Sequence, residues 1–196
     1  MQTDAPRGPG RPRSAEAHEA ILDAAMQTVR AVGYDSATIE AVAARAGVGK
    51  ATVYRRWPSK ELLLVEAVGR FVAGLPTPDT GAVESDLAAL LASTVAVFRD
   101  PDTRPLMTGL VAVMARSDAI AEAVRGGLHA SRHGAFLAVL RRGVWRGELA
   151  PETDLDLAVE LLVGPLFYRL AWTGEPTGEA HAVTVASAVL RGLRPR

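Results

Sequence analysis

Two very short helical segments joined by a glycine turn constrain this chain more than any other feature. Residues 41–63 read AVAARAGVGKATVYRRWPSKELL. Gly47 makes the turn, with Val48 apolar just after it, and the spacing is that of a helix-turn-helix. Ala43, Val48 and Val53 can form the small core that sets the angle between the two helices. The second helix, from about Lys50 to Arg56, then turns Lys50, Ala51, Thr52, Tyr54, Arg55 and Arg56 outward. Those side chains offer cations for phosphate or guanine, a hydroxyl, and methyl groups for thymine, as a helix in a major groove requires.

The charge balance bears on this directly. The net charge is zero, which taken whole argues against a DNA binder. The distribution reverses the argument. Residues 1–60 carry nine Lys/Arg against six Asp/Glu, and residues 61–196 carry thirteen against sixteen. Both lysines, Lys50 and Lys60, lie in the first part. Positive charge is therefore local, as expected when one end of a molecule meets phosphate.

Upstream, Ser14 offers an N-cap for a helix from Ala15 to about Val32, with Ile21, Leu22, Ala25 and Val29 inward and Gly33 ending it. Thr38 can cap the next, with Ile39, Val42 and Ala43 inward and Glu40 and Arg45 outward. Pro58 stops the third helix, and Ser59 caps a fourth, from Glu61 to about Val72. GLPTPDTG, residues 74–81, reads as a linker. Five more helices are expected at about 82–99, 104–116, 118–147, 154–173 and 178–193, with Pro101, Pro105, Pro151 and Pro176 near their boundaries. The fold class is all-α: a three-helix helix-turn-helix domain joined to an antiparallel helical domain. The expected divisions are an Arg/Pro/Gly arm at 1–13, a DNA-binding domain at 14–60, a connecting helix at 61–74 and a helical domain at 75–196.

Composition removes other classes. Hydrophobic residues make up 48% of the 196, which excludes a wholly disordered chain. There is no cysteine, so disulfides and thiolate metal sites are absent. The N-terminus has no apolar signal segment, and no apolar run is long enough for a membrane span, so the expected location is cytoplasmic, with no membrane partner. With four histidines and no nucleophile–base or phosphate-cradling motif, a helical enzyme is only a distant alternative, and no cofactor is expected.

The stretch from about residue 15 to 65 closely resembles the DNA-binding domain of the TetR family. The residues that carry the resemblance are Thr38, Ala43, Ala46, Gly47, Val48, Gly49, Ala51, Thr52, Val53, Tyr54, Arg56, Trp57, Ser59, Lys60, Glu61 and Leu63, with Gly33 and Tyr34 upstream. Two departures stand out. Gly49 replaces the usual serine at the start of the recognition helix, and Arg56 and Trp57 stand where His-Phe is commonest. The resemblance implies that Thr38, Tyr54 and Lys60 hold phosphates, while Lys50, Thr52 and Arg55 lie near bases. Trp57 is expected to pack and not to touch a base. Arg7, Arg11 and Arg13, spaced by Gly and Pro, form a narrow cationic strip of a kind that enters A·T-rich minor grooves.

The remainder is less specific. Helices 154–173 and 178–193 are apolar nearly all round, so one side of each needs a partner. A two-fold contact of these helices between two copies meets that need, with Leu162, Leu166, Val185, Ala186 and Val189 as candidates. A small-molecule pocket is expected among Phe98, Met107, Met114, Phe136, Trp145, Tyr168 and Trp172, with His129, Arg132 and His133 as polar groups. Pro165 should loosen its helix nearby. His129 and His133 share a helix face as metal ligands can, but the sequence shows no third ligand. The functional expectation is a homodimeric regulator bound to double-stranded operator DNA, acting as a repressor released by an unidentified effector. An activator, or a ligand-independent DNA binder of the same fold, is the alternative.

Overall fold

Ten α-helices follow one another in the computed structural model, which describes residues 12–101 and 103–195, and no strand occurs among the described residues. They are α1 (Pro12–Ser36), α2 (Ile39–Arg45), α3 (Lys50–Tyr54), α4 (Lys60–Ala73), α5 (Val83–Arg99), α6 (Arg104–Met114), α7 (Asp118–Val124), α8 (Ala130–Trp145), α9 (Leu155–Tyr168) and α10 (Glu179–Leu193). A π-helical turn, Arg125–His129, runs α7 into α8, so 118–145 is continuous helix as the sequence predicts. A second π turn, Arg169–Thr173, extends α9.

Local signals account for the boundaries. Thr38 Oγ1 accepts from the Ala41 N–H at 3.2 Å, and Ser59 Oγ accepts from the Leu62 N–H at 3.3 Å, so both expected caps form. After α2 the Val48 N–H reaches back to the Ala43 carbonyl at 3.0 Å and the Gly47 N–H to Ala44 at 3.3 Å. Gly47 has φ 67°, which a side-chain-bearing residue adopts only with strain, and the reverse turn aims α3 away from α2. One boundary differs from expectation. α1 already includes Pro12, so Ser14 lies within the helix and not before it. Gly33 breaks the helical backbone (φ 81°), and one further turn leads to Ser36.

Two cores hold these helices. The first gathers α1 to α4 around Ile21, Ala25, Val53, Leu63 and Leu64, and continues into Leu110 of α6, Val124 of α7 and Leu128 of the π turn. The second joins α5, α8, α9 and α10 around Leu87, Leu90, Phe136, Leu140, Leu162 and Leu190. The expected linker at 74–81 contains no helix, and it is pinned. Asp86, fully buried on α5, accepts from the Thr80 N–H at 2.7 Å and from its hydroxyl at 2.8 Å, and faces Arg142 of α8 at 3.6 Å. Burial pushes the Asp86 carboxyl up, but the Thr80 and Arg142 contacts outweigh it and hold the group below its ordinary value. No helix among the described residues is long and apolar enough to cross a membrane.

Candidate DNA-binding surface and cavity

α3 is buried by one residue. Val53 is inaccessible, while Lys50, Ala51, Tyr54 and Arg55 are exposed and Thr52 and Arg56 are half-buried. Thr38 is exposed at the start of α2. These side chains therefore share the outside of one small three-helix unit. Gly49 precedes α3 with no side chain to cap it. Arg7 and Arg11 lie outside the described residues, as does the side chain of Arg13.

Trp57, expected to pack, does so with two partners that the sequence does not single out, His18 and Glu66. Trp57, just beyond α3, is buried, and its indole Nε1–H donates to Glu66 Oε2 at 2.6 Å. His18 of α1 stacks on Trp57 with ring centroids 5.1 Å apart and meets the other Glu66 oxygen at 2.9 Å. Lys60 is more engaged than expected. Its Nζ donates to the Tyr34 carbonyl at 2.9 Å and the Asp35 carbonyl at 3.4 Å, and sits 4.7 Å from the Tyr34 ring centroid. The Tyr34 ring in turn lies against Gly109 of α6, where a Cβ would come within 2.5 Å of Tyr34 Cε1.

Behind α6 is a cavity of about 520 Å³. Of the residues that the sequence puts forward for a pocket, Phe98, Met107, Met114, His129, Arg132, His133 and Phe136 line this cavity. Trp145, Tyr168 and Trp172 do not. They are 87%, 60% and 82% exposed. The walls also contain residues not foreseen: Val72 and Leu75 after α4, Thr94 and Val97 of α5, Leu110 and Val111 of α6, Val124, Arg125 and Leu128 around the π turn, and Val159, Glu160, Val163, Gly164 and Phe167 of α9. Phe98 and Phe167 meet edge to face, 5.1 Å between centroids. His129 and His133 stack at 5.3 Å, and His133 Nε2 reaches Asp156 at 3.2 Å.

The expected dimer residues need correction. Leu162, Leu166, Val185 and Ala186 are buried in the chain's own second core, and Val189 packs partly against it. A helix apolar all round does not say which side is its own core, and the sequence argument chose the wrong side. Leu157, Leu161, Tyr168 and Val183 stand exposed on α9 and α10, while Phe167, also exposed, is at the cavity wall.

Comparison with known proteins matches both halves. The family described as bacterial regulatory proteins of the tetR family fits residues 21–67, and the tetracyclin repressor-like C-terminal domain fits residues 77–189. The chain belongs to the TetR family. It is a DNA-binding transcriptional regulator. An HTH-type regulator of Bacillus subtilis, YdeS, is 29% identical over 94% of this chain and 93% of its own length. The DNA-binding transcriptional repressor TetR of Mycobacteroides abscessus is 31% identical over 87% of this chain and 90% of its own. The crystal structure of the TetR family regulator SCO0332 superposes with a TM-score of 0.80 at 29% identity, covering 92% of this chain and 100% of that one.

Proposed function

We propose that this TetR-family regulator is a repressor and not an enzyme, that it works in the cytoplasm as a homodimer, and that an effector in the cavity releases it from its operator. Lys50, Ala51, Thr52 and Arg55 read bases, and Thr38, Tyr54, Arg56 and Lys60 hold phosphates, with the arm's Arg7, Arg11 and Arg13 as further contacts. Two copies present paired α3 helices to successive major grooves, roughly 34–36 Å apart. The dimer contact uses the outward face of α9 and α10, at Leu157, Leu161 and Val183.

One observation carries the release mechanism. α6 forms a wall of the cavity with Met107, Leu110 and Val111, and its Gly109 seats Tyr34 of the DNA-binding end. An effector that prefers one setting of α6 then shifts the spacing of the two α3 helices by its difference in affinity alone. Deleting the gene and following a reporter of its target tests the sign of regulation. Raised expression is expected, and lost expression would replace the repressor by an activator. Fluorescence anisotropy of labelled operator DNA, titrated with effector, tests the release. An unchanged affinity would leave a ligand-independent DNA binder.

A further inference from the structure

The cavity is apolar over most of its wall, and its one largely buried cation among the described residues is Arg132. Arg132 of α8 reaches across to α5. Its Nε donates to Thr94 Oγ1 at 2.9 Å, and Nη2 donates to the Leu90 carbonyl at 2.5 Å and to the Ser93 hydroxyl. All three acceptors are neutral. Among the described residues no carboxylate lies within ion-pair distance of this guanidinium, and no protein acceptor meets Nη1. Its Cζ lies 5.7 Å from the Phe136 ring centroid. Burial alone draws its pKa down to about 10, which still leaves it charged at neutral pH. A cation in such surroundings, held in place but not neutralised, is costly unless an anion joins it.

The other charges at the cavity do not supply that anion. Glu160 of α9 and Arg125 of the π turn both stand on the wall with solvent-exposed side chains, where their charges are screened. His133 already faces Asp156, and His129 stacks on His133. The volume of about 520 Å³ suits one small organic molecule.

We propose that the cavity binds an apolar monocarboxylate, its head group on Arg132 and its hydrocarbon body among Val97, Phe98, Met107 and Val163. The guanidinium fork fits a planar carboxylate, and the bond is charge-assisted on both sides. The assignment rests on the reading of this cavity as the effector site. Calorimetry on the full-length protein tests it, with the straight-chain monocarboxylates from hexanoate to dodecanoate and the alcohol and amine of each length. The best carboxylate should bind about 10- to 100-fold tighter than its alcohol, with the amine weakest. Arg132→Gln should erase that margin, and Arg132→Lys should keep part of it. Since Arg132 also braces α5, the wild-type ranking decides the matter even if both variants misfold. Equal affinity for carboxylate and alcohol, tighter binding of the amine, or no carboxylate binding across the series would overturn the proposal. Operator anisotropy run alongside separates the two readings. Carboxylate binding without release sustains the ligand class and removes the effector role. Release by the alcohols alone does the reverse.

Discussion

The first core and the second core use the same side chains to different ends. Around α1 to α4, leucine, valine and alanine bury one another, and the result is a platform that turns α3 outward on a single buried anchor, Val53. Around α5, α8, α9 and α10 they do the same, but not where the two cores meet. Val72, Leu110, Val124 and Leu128 of the first and Phe136 and Val159 of the second face the cavity together. A recognition surface needs fixed geometry, whereas a sensor needs a place where packing is incomplete and can be completed by something else. The seam supplies it without weakening either core.

That contrast is broken most severely by deleting side chains on its two sides. Leu63→Ala, deep in the platform and away from the cavity, should cost about 4 kcal/mol, because a new void is left in closed packing. Leu110→Ala, which only enlarges an existing space, should cost nearer about 2 kcal/mol. Urea unfolding of both variants checks it. Equal losses would mean that the seam is packed as tightly as the platform.

Next comes the buried charge of the second core. Asp86→Asn should destabilise by about 2 kcal/mol, since the Arg142 guanidinium loses its buried partner but keeps Asp79 at 3.4 Å. The wild type should show the matching pH dependence. The folded carboxyl titrates below its ordinary 3.8, so its contribution is complete above that value and is lost as pH falls through the lower folded value. Urea unfolding midpoints of wild type and Asp86→Asn, measured at a series of pH values, should therefore converge as pH drops below about 4. Midpoints that stay apart would place the effect elsewhere.

A smaller effect is expected where platform and seam touch. Gly109→Ala gains about 1 kcal/mol of helix propensity, but its methyl meets a rigid ring at 2.5 Å, and such overpacking costs about 1–3 kcal/mol. A net loss near 1 kcal/mol is expected, together with altered operator affinity, because Tyr34 also carries the carbonyl that holds Lys60. Adding Tyr34→Ala should recover part of the Gly109→Ala loss in a double-mutant cycle. Strict additivity would show that the ring does not feel the methyl. On the DNA side, Lys50→Ala and Arg55→Ala should each weaken operator binding by about 1–3 kcal/mol with relaxed sequence preference, while Lys60→Ala should lower affinity evenly and reduce the salt slope by about 1. Anisotropy at several salt concentrations reads both.

The platform was legible in the sequence because its signals are local. Thr38 and Ser59 cap within three residues, Gly47 must take a left-handed turn, and Val53 is the single inward residue of a five-residue helix. The long helices were legible too, from proline boundaries and apolar content. Which side of α9 and α10 faces inward was not, since Leu161 and Leu162 are the same residue type one position apart, one exposed and one buried. The cavity was legible only in its large or polar lining. Nothing in the residue types of Leu110 and Val163 sets them apart from core, and only the way α6, α7 and α9 cross makes them face a void. Trp145 and Trp172 misled because size alone says nothing of direction.

The smallest effect belongs to the ion cluster that ties α1 to α4 on the outside of the platform. Arg70 Nη1 reaches Glu19 at 2.5 Å, and Nη2 meets Asp23, one turn further along α1. The geometry is better than that of Asp86 and Arg142, whose closest approach is 3.6 Å. Distance is nevertheless the wrong guide to energy. The Arg70 side chain is 37% exposed and its partners more so, hence water and salt already satisfy much of what the contact offers. Arg70→Ala should cost less than about 1 kcal/mol, and the loss should shrink further as salt is raised. The Asp86→Asn loss should be nearly indifferent to salt, because the buried carboxylate sees no ions in either condition. If Arg70→Ala proved the more damaging of the two, the platform would owe its stability to surface charge, and the apolar packing of α1 against α4 would no longer explain it.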